Sequence, residues 1–220
     1  MKTVTQTDIE VCSCGPLVYV RTLKCASTFF YWNFTKTFGW HEIDYQDIDW
    51  DRQHVFGHLA EPITRRHKAV AEYIDMHSLG HEYLNNENLQ QLLDETPTLD
   101  CHSAPYLDTF QTDAYRIDWI PLSDNNDDNI DITARLLRTY GVDNVQWDRD
   151  FDHSASASKK AVELKLKETW EKRYSTYNDL PAWLKRHYSD DITLYRVVTS
   201  KFNPDASSWT DTSWIRHPTP

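Results

Sequence analysis

The chain has 220 residues and a mass of 26.0 kDa, enough for one large domain with a core of its own. Hydrophobic residues make up 40% and charged residues 26%, a balance typical of globular rather than disordered proteins. The net charge of -11 disfavours a polyanionic partner, so we expect no nucleic acid to bind. No apolar run approaches the ~20 residues of a membrane span, and the N-terminus lacks a secretory apolar core, so we expect a cytoplasmic protein without a membrane partner.

The four cysteines form no C-x-x-C pair; they are Cys12, Cys14, Cys25 and Cys101. A metal site built from Cys12, Cys14, Cys101 and His102 is one alternative. Separate reduced thiols fit a reducing compartment better, so we predict no metal.

The first strong element is the apolar run Leu17–Val20, which is typical of a buried strand. A polar loop of small residues follows over 21–28. Three phenylalanines then recur at helical spacing before Gly39: Phe30, Phe34 and Phe38. Strand, loop and helix together predict one half of a βαβ unit.

A second strand is predicted over 54–60, and Pro62 suits the first turn of the helix that follows it. Further strands are predicted over 115–122 and 145–147, and a short helix over 88–95. Asp131 is predicted to cap a helix that Gly141 ends. The clearest helix covers 154–174, and another covers 181–188 after an Asp179 cap.

This alternation predicts an α/β protein with a central, mainly parallel sheet flanked by helices. We expect a single domain over residues 1–200 and an irregular tail over 201–220. Ligands of such folds bind at the carboxyl ends of strands, which makes the loop after Val20 the first candidate site.

That loop has the residue types of a phosphate site. Ser27 and Thr28 lie at the predicted amino end of the first helix, where backbone N–H groups and the helix dipole attract anions. Ala26 is small enough for close approach to the backbone, and Lys24 adds a positive charge. The kinase motif G-x-x-x-x-G-K-S/T is absent. The alternative is that Ser27 only caps the helix.

Several segments share their order with one known family. Residues 21–29 read R-T-L-K-C-A-S-T-F, residues 60–68 contain Glu61-Pro62 and Arg65, and residues 100–105 contain H-x-x-P. YRIDWIPL, HSASASKKAVELKL and YSDDITLY follow. Over roughly residues 17–196 the chain resembles the sulfotransferases that use 3′-phosphoadenosine 5′-phosphosulfate (PAPS).

The resemblance implies a P-loop-like three-layer sandwich and a PAPS-dependent sulfotransferase that acts on a hydroxyl of a carbohydrate or small molecule. It implies that one group of residues binds the donor: Arg21, Lys24, Cys25, Ala26, Ser27, Thr28, Arg65 and Lys68. Three positions depart from the family pattern. Leu23 replaces a proline, Ala60 an arginine and Lys68 a serine, and the last two normally hold the 3′-phosphate.

Sulfuryl transfer is an in-line displacement in which the protein positions groups and stabilises charge on the leaving oxygen. The resemblance assigns that stabilising role to Lys24 and requires no metal. A general base is needed as well. The candidates are Glu42, His58 and His102, with His41 beside Glu42.

Two other functions remain open at this point. One is an atypical ATP-dependent kinase, although the absent kinase motif counts against it. The other is a non-catalytic nucleotide-binding module on the same fold, suggested by Ala60 and Lys68. The sequence favours no particular acceptor and no oligomeric state.

Overall fold

The computed structural model describes residues 9–77, 101–123, 125–143, 145–151, 160–166 and 181–202, and the single positions 79, 87, 99 and 168. Within these residues, five strands form one sheet in the order β3-β1-β2-β4-β5. The strands are β1 (Val11–Cys14), β2 (Leu17–Val20), β3 (His41–Ile43), β4 (His54–Leu59) and β5 (Asp118–Pro121).

The sheet is mixed rather than mainly parallel. β4 pairs in parallel with β2 and β5, whereas β1 is antiparallel to both β2 and β3. The sequence analysis did not predict β1 or β3. A two-residue turn joins β1 to β2, and Gly15 in that turn has a φ of 55°, a backbone conformation that glycine adopts without steric cost.

Helices lie in the connections after β2 and β4, and further helices follow β5. They are α1 (Ser27–Trp32), α2 (Pro62–Met76), α3 (Tyr106–Phe110), α4 (Asn126–Thr139), α5 (Ala182–His187) and α6 (Ser189–Lys201). A π-helical turn over Asn33–Thr37 continues α1. Short 3-10 turns cover Tyr45–Asp47, Gln111–Tyr115 and Arg149–Phe151, and residues 160–166 are helical.

The strands β2 and β4 and the helix that begins at Pro62 confirm the sequence predictions. Two other predicted elements are present with different bounds. The helix predicted after Asp131 begins at Asn126, because the Asn125 side chain accepts a hydrogen bond from the helix start. The strand predicted over 115–122 is shorter, since its first residue belongs to a 3-10 turn.

The segment 145–147 is not a strand. Trp147 instead packs its ring against Phe29 and Phe30, with centroids 5.8 and 5.6 Å away. The helix predicted over 88–95, most of the one over 154–174 and the tail from 203 onward lie outside the described residues.

Helices pack on both faces of the sheet, because alternate strand residues point to opposite sides. Leu17 and Tyr19 join residues of α1 and α4 in one core, whereas Val18 and Val20 join residues of α3 and α6 in another. A third cluster packs α2 against α5, α6 and the helical residues 160–166. In the described part of the chain, no helix is both long and apolar enough to cross a bilayer.

Candidate functional site

The carboxyl ends of β2, β4 and β5 open into a cleft of about 880 Å³. Because these strands are parallel, the loops that follow them meet at one edge of the sheet. Seven residues singled out from the sequence line this cleft: Arg21, Lys24, Ala26, Ser27, Thr28, Lys68 and His102. The rest of the wall includes the segment after β5 and the first turn of α4.

The loop after β2 is tightly bent. Lys24 and Ala26 have φ values of 64° and 51°, so both lie in the left-handed region. The Thr22 hydroxyl donates to the His58 carbonyl at 2.6 Å and fixes the loop to β4. The cap of α1 is Ala26, which has no side-chain acceptor, so Ser27 does not cap this helix.

Lys24 and Arg21 form ion pairs at the rim of the cleft. The Lys24 Nζ lies 2.8 Å from the Glu72 Oε2, and both side chains are mostly shielded from solvent. Arg21 pairs with Glu10 and donates to the Thr28 hydroxyl at 3.3 Å. The loop therefore brings two positive charges to the cleft, each of them paired with a carboxylate.

Cys25 does not line the cleft, so its predicted role in donor binding has no geometric support. Its backbone N–H donates to the Thr22 carbonyl at 3.3 Å, and its buried Sγ lies 2.8 Å from the Tyr106 hydroxyl. The same hydroxyl accepts from the Ala60 N–H at 3.1 Å. Tyr106 thus joins the loop after β2 to the end of β4.

Arg65 also faces the core and not the cleft, so its predicted role as a ligand for the 3′-phosphate has no geometric support. It is buried, and its guanidinium donates to the carbonyls of His102 and Ala104. It lies 3.8 Å from the Asp191 carboxylate and 4.1 Å from the centre of the Tyr106 ring. Lys68, one turn further along α2, is exposed and lines the cleft.

Asp191 completes a buried network that holds the segment of residues 102–107 in place. Its carboxylate accepts from the backbone N–H groups of Tyr106 and Leu107 at 2.7 and 3.1 Å. The Tyr188 hydroxyl donates to the Ser103 carbonyl nearby. The late sequence YSDDITLY therefore has a structural role beside the cleft, through Tyr188 and Asp191.

His58 is fully buried and lies outside the cleft, so its predicted role as a base has no geometric support. Its Nε2 and Nδ1 lie 2.9 and 3.3 Å from the hydroxyls of Thr133 and Tyr19, and its ring stacks on Phe30. Burial lowers the pKa of His58 to about 3. The imidazole is therefore neutral at ordinary pH and has no path to an acceptor in the cleft.

Glu42 does not line the cleft either, because it is exposed on β3 at the edge of the sheet, two strands from β2. Its neighbour His41 is exposed on the same strand. His102 is the one of the predicted bases that lines the cleft. Its Nδ1 is 3.7 Å from the Cys101 Sγ.

Glu61, which the sequence marks only as part of the Glu-Pro match, also lines the cleft. The cleft has further polar residues that were not predicted from the sequence, namely Thr64, Glu72, Ser123, Asn126, Asn129, Glu163 and Tyr195. The spacing of Thr64, Lys68 and Glu72 puts them on one face of α2, and that periodicity is the signal in the sequence that points to Glu72. Glu61 caps α2, since its carboxylate accepts from the Thr64 N–H at 2.6 Å.

The described residues contain no group of three or more His, Cys, Asp or Glu side chains suited to a metal ion. The main walls of the cleft are one bent loop, one face of α2 and the polar start of α4.

Comparisons of the chain with protein-family models, curated proteins and solved structures found no match.

Proposed function

We propose that the protein is a sulfotransferase that moves a sulfuryl group from PAPS to a hydroxyl of a carbohydrate or small-molecule acceptor. One observation carries the proposal. Lys24, Ser27 and Thr28 from the loop after β2 line the same cleft as Lys68 from the helix after β4. The parallel strands β2, β4 and β5, with the bent loop between β2 and α1, support a P-loop-like sandwich to which an antiparallel edge is added.

The residues of the cleft fit the two charged ends of this donor. The start of α1 offers backbone N–H groups outside the helix's own bonding pattern, and the hydroxyls of Ser27 and Thr28 lie beside them. Lys68 supplies positive charge in the same cleft as Ala60, which occupies the position of the family's arginine. A lysine on α2 would thus take the place of the missing 3′-phosphate ligands.

In the proposed reaction, an acceptor oxygen forms a bond to sulfur while the bond from sulfur to the 5′-phosphate oxygen breaks. Lys24 stabilises the charge that develops on the leaving oxygen. His102 accepts the proton of the acceptor hydroxyl, because it is the predicted base that lines the cleft. Phe151 and Tyr195 give the acceptor side of the cleft aromatic surface.

Calorimetric titration with adenosine 3′,5′-bisphosphate tests the proposal, with AMP and ATP as comparison ligands. We expect the bisphosphate to bind and AMP to bind far more weakly. Lys24→Ala and Lys68→Ala are each expected to weaken bisphosphate binding about tenfold or more, since each removes a charged hydrogen bond. Lys36→Ala is the matched control, because Lys36 is exposed and lies over the Trp32 ring, outside the cleft.

The other outcomes separate the alternative functions. Binding of ATP with magnesium, without regard to a 3′-phosphate, would favour the atypical kinase. Tight binding of the bisphosphate without transfer from PAPS to any of a broad acceptor panel would favour a non-catalytic binding module. Absence of binding to all three nucleotides would overturn the proposal.

A further inference from the structure

Two ion pairs in and beside the cleft differ in how deeply they are buried. The Arg65 and Asp191 side chains are 4% and 0% exposed, and Asp191 also accepts two backbone hydrogen bonds. The Lys24 and Glu72 side chains, 2.8 Å apart, retain 15% and 22% exposure and both line the cleft. The first pair is therefore a fixed part of the core, whereas the second faces the space that a ligand would enter.

We propose that Glu72 is a displaceable counter-ion of Lys24, so that an anionic ligand must take Lys24 from Glu72 in order to bind. Glu72 then sets how strongly the cleft binds anions and favours ligands with a high local negative charge, such as a phosphosulfate or a diphosphate. This inference rests on the proposed function only in taking Lys24 as the lysine that contacts the anion.

Separation of this pair is energetically accessible. Breaking a fully buried pair leaves an uncompensated charge without water and costs several-fold more than breaking an exposed one. The Glu72 side chain keeps 22% of its surface exposed although its Oε2 is buried within the pair, so water from the cleft can reach the carboxylate when Lys24 turns to a ligand. Lys68 lies one helical turn before Glu72 on the same face of α2 and keeps a positive charge nearby.

The charge of Glu72, rather than its shape, is the quantity to test. Glu72→Gln keeps the size of the side chain and removes the charge that competes with a ligand for Lys24. We expect this variant to bind adenosine 3′,5′-bisphosphate and inorganic pyrophosphate about fivefold more tightly than the wild type. Glu72→Asp retains the charge and is expected to bind both probes as the wild type does. A gain in affinity is a result that mere loss of structure does not produce.

Two further variants isolate the pair. Glu163→Gln is the matched control, since it removes another carboxylate that lines the same cleft. An equal gain in Glu163→Gln would overturn the inference, because the effect would then be that of overall charge. In the background Lys24→Met, Glu72→Gln is expected to give no gain, and a persisting gain would contradict a role through Lys24.

The two probes distinguish failure of this inference from failure of the proposed function. If the wild type binds the bisphosphate but Glu72→Gln binds it no more tightly, the counter-ion role is wrong and the proposed function stands. If neither protein binds the bisphosphate but pyrophosphate binding rises in Glu72→Gln, the proposed function is wrong and the counter-ion role stands. If no probe binds to either protein, both are wrong.

Discussion

His58 lies against Phe30, and its two ring nitrogens face the hydroxyls of Tyr19 and Thr133. Burial lowers its pKa to about 3, whereas a histidine in an unfolded chain titrates near about 6.5. Between these values the unfolded chain binds a proton that the folded protein does not. The contribution of His58 to stability is therefore present above about pH 6.5 and is lost as the pH falls toward 3.

The first prediction follows from that difference. Lowering the pH from 7 to 5 should reduce the free energy of unfolding of both the wild type and His58→Gln. The reduction should be about 2 kcal/mol larger in the wild type. Urea denaturation at the two pH values measures this difference. Parallel losses in the two proteins would contradict the assignment of a neutral, buried His58.

Gly57 lies where the strands whose ends form the cleft pack closely against their neighbours. It lies in β4, between β2 and β5. A Cβ at Gly57 would lie 3.0 Å from the Trp119 ring and 3.2 Å from the Val20 carbonyl oxygen. The ring is held in place, because its Nε1 donates to the Ala114 carbonyl at 2.8 Å.

The second prediction is that Gly57→Ala lowers the free energy of unfolding by about 1–3 kcal/mol. The added methyl group has to displace a fixed ring or the neighbouring backbone. Urea denaturation with fluorescence detection measures the change. An unchanged midpoint would mean that β2 and β5 separate more easily than these contacts indicate.

The third prediction concerns the helices α3 and α6, which Asp191 links. Asp191→Asn should lower the free energy of unfolding by about 3 kcal/mol, because it leaves the buried Arg65 without its carboxylate. Asp190→Asn is the matched control, since Asp190 is exposed on the same turn, and should change stability by less than about 0.5 kcal/mol. Thermal and urea denaturation of both variants measure the difference. Similar effects in both would contradict a special role for the buried pair.

Local patterns in the sequence were enough for some elements and not for others. β2 is a continuous apolar run, and β4 is apolar apart from His54 and His58, so both strands are visible without knowledge of their partners. β3 has three residues, two of them exposed, and so carries almost no pattern. Its pairing with β1 depends on contacts between segments that are distant in the chain.

Local sequence likewise predicts some residues of the cleft and not others. Lys24, Ser27 and Thr28 follow from one loop and could be chosen from its sequence. Arg65 and Lys68 stand on the same helix, but only tertiary packing decides that Arg65 faces the core and Lys68 the cleft. The ion pair between Lys24 and Glu72 joins two segments distant in the chain, so no local pattern predicts it.

The reactivity of the cysteine thiols measures how readily the folded protein opens. Cys12 and Cys25 are 0% exposed, whereas Cys14 is exposed. Burial also raises the pKa of the Cys12 thiol, which disfavours the reactive thiolate. Because Cys12 lies inside the sheet and Cys25 in the loop of the cleft, the two thiols report on different regions.

The fourth prediction is that an alkylating reagent modifies Cys14 first in the native protein. Cys12 should react only at the rate of global unfolding, because it is buried in a strand that pairs with a neighbour on each side. Mass spectrometry of the timed reaction gives the order of modification. Early reaction of Cys12 would show that the sheet opens independently at the edge where β3 pairs with β1.

The left-handed backbone at Lys24 and Ala26 has a consequence for how fast a ligand can bind. The left-handed conformation of each residue costs about 1 kcal/mol of conformational free energy. Two hydrogen bonds of Thr22 offset this cost in the folded protein: its hydroxyl donates to the His58 carbonyl, and its own carbonyl accepts from the Cys25 N–H. The loop is thus preorganised, so a ligand does not have to order it on arrival. Association should then show no slow kinetic phase that comes from ordering of this loop.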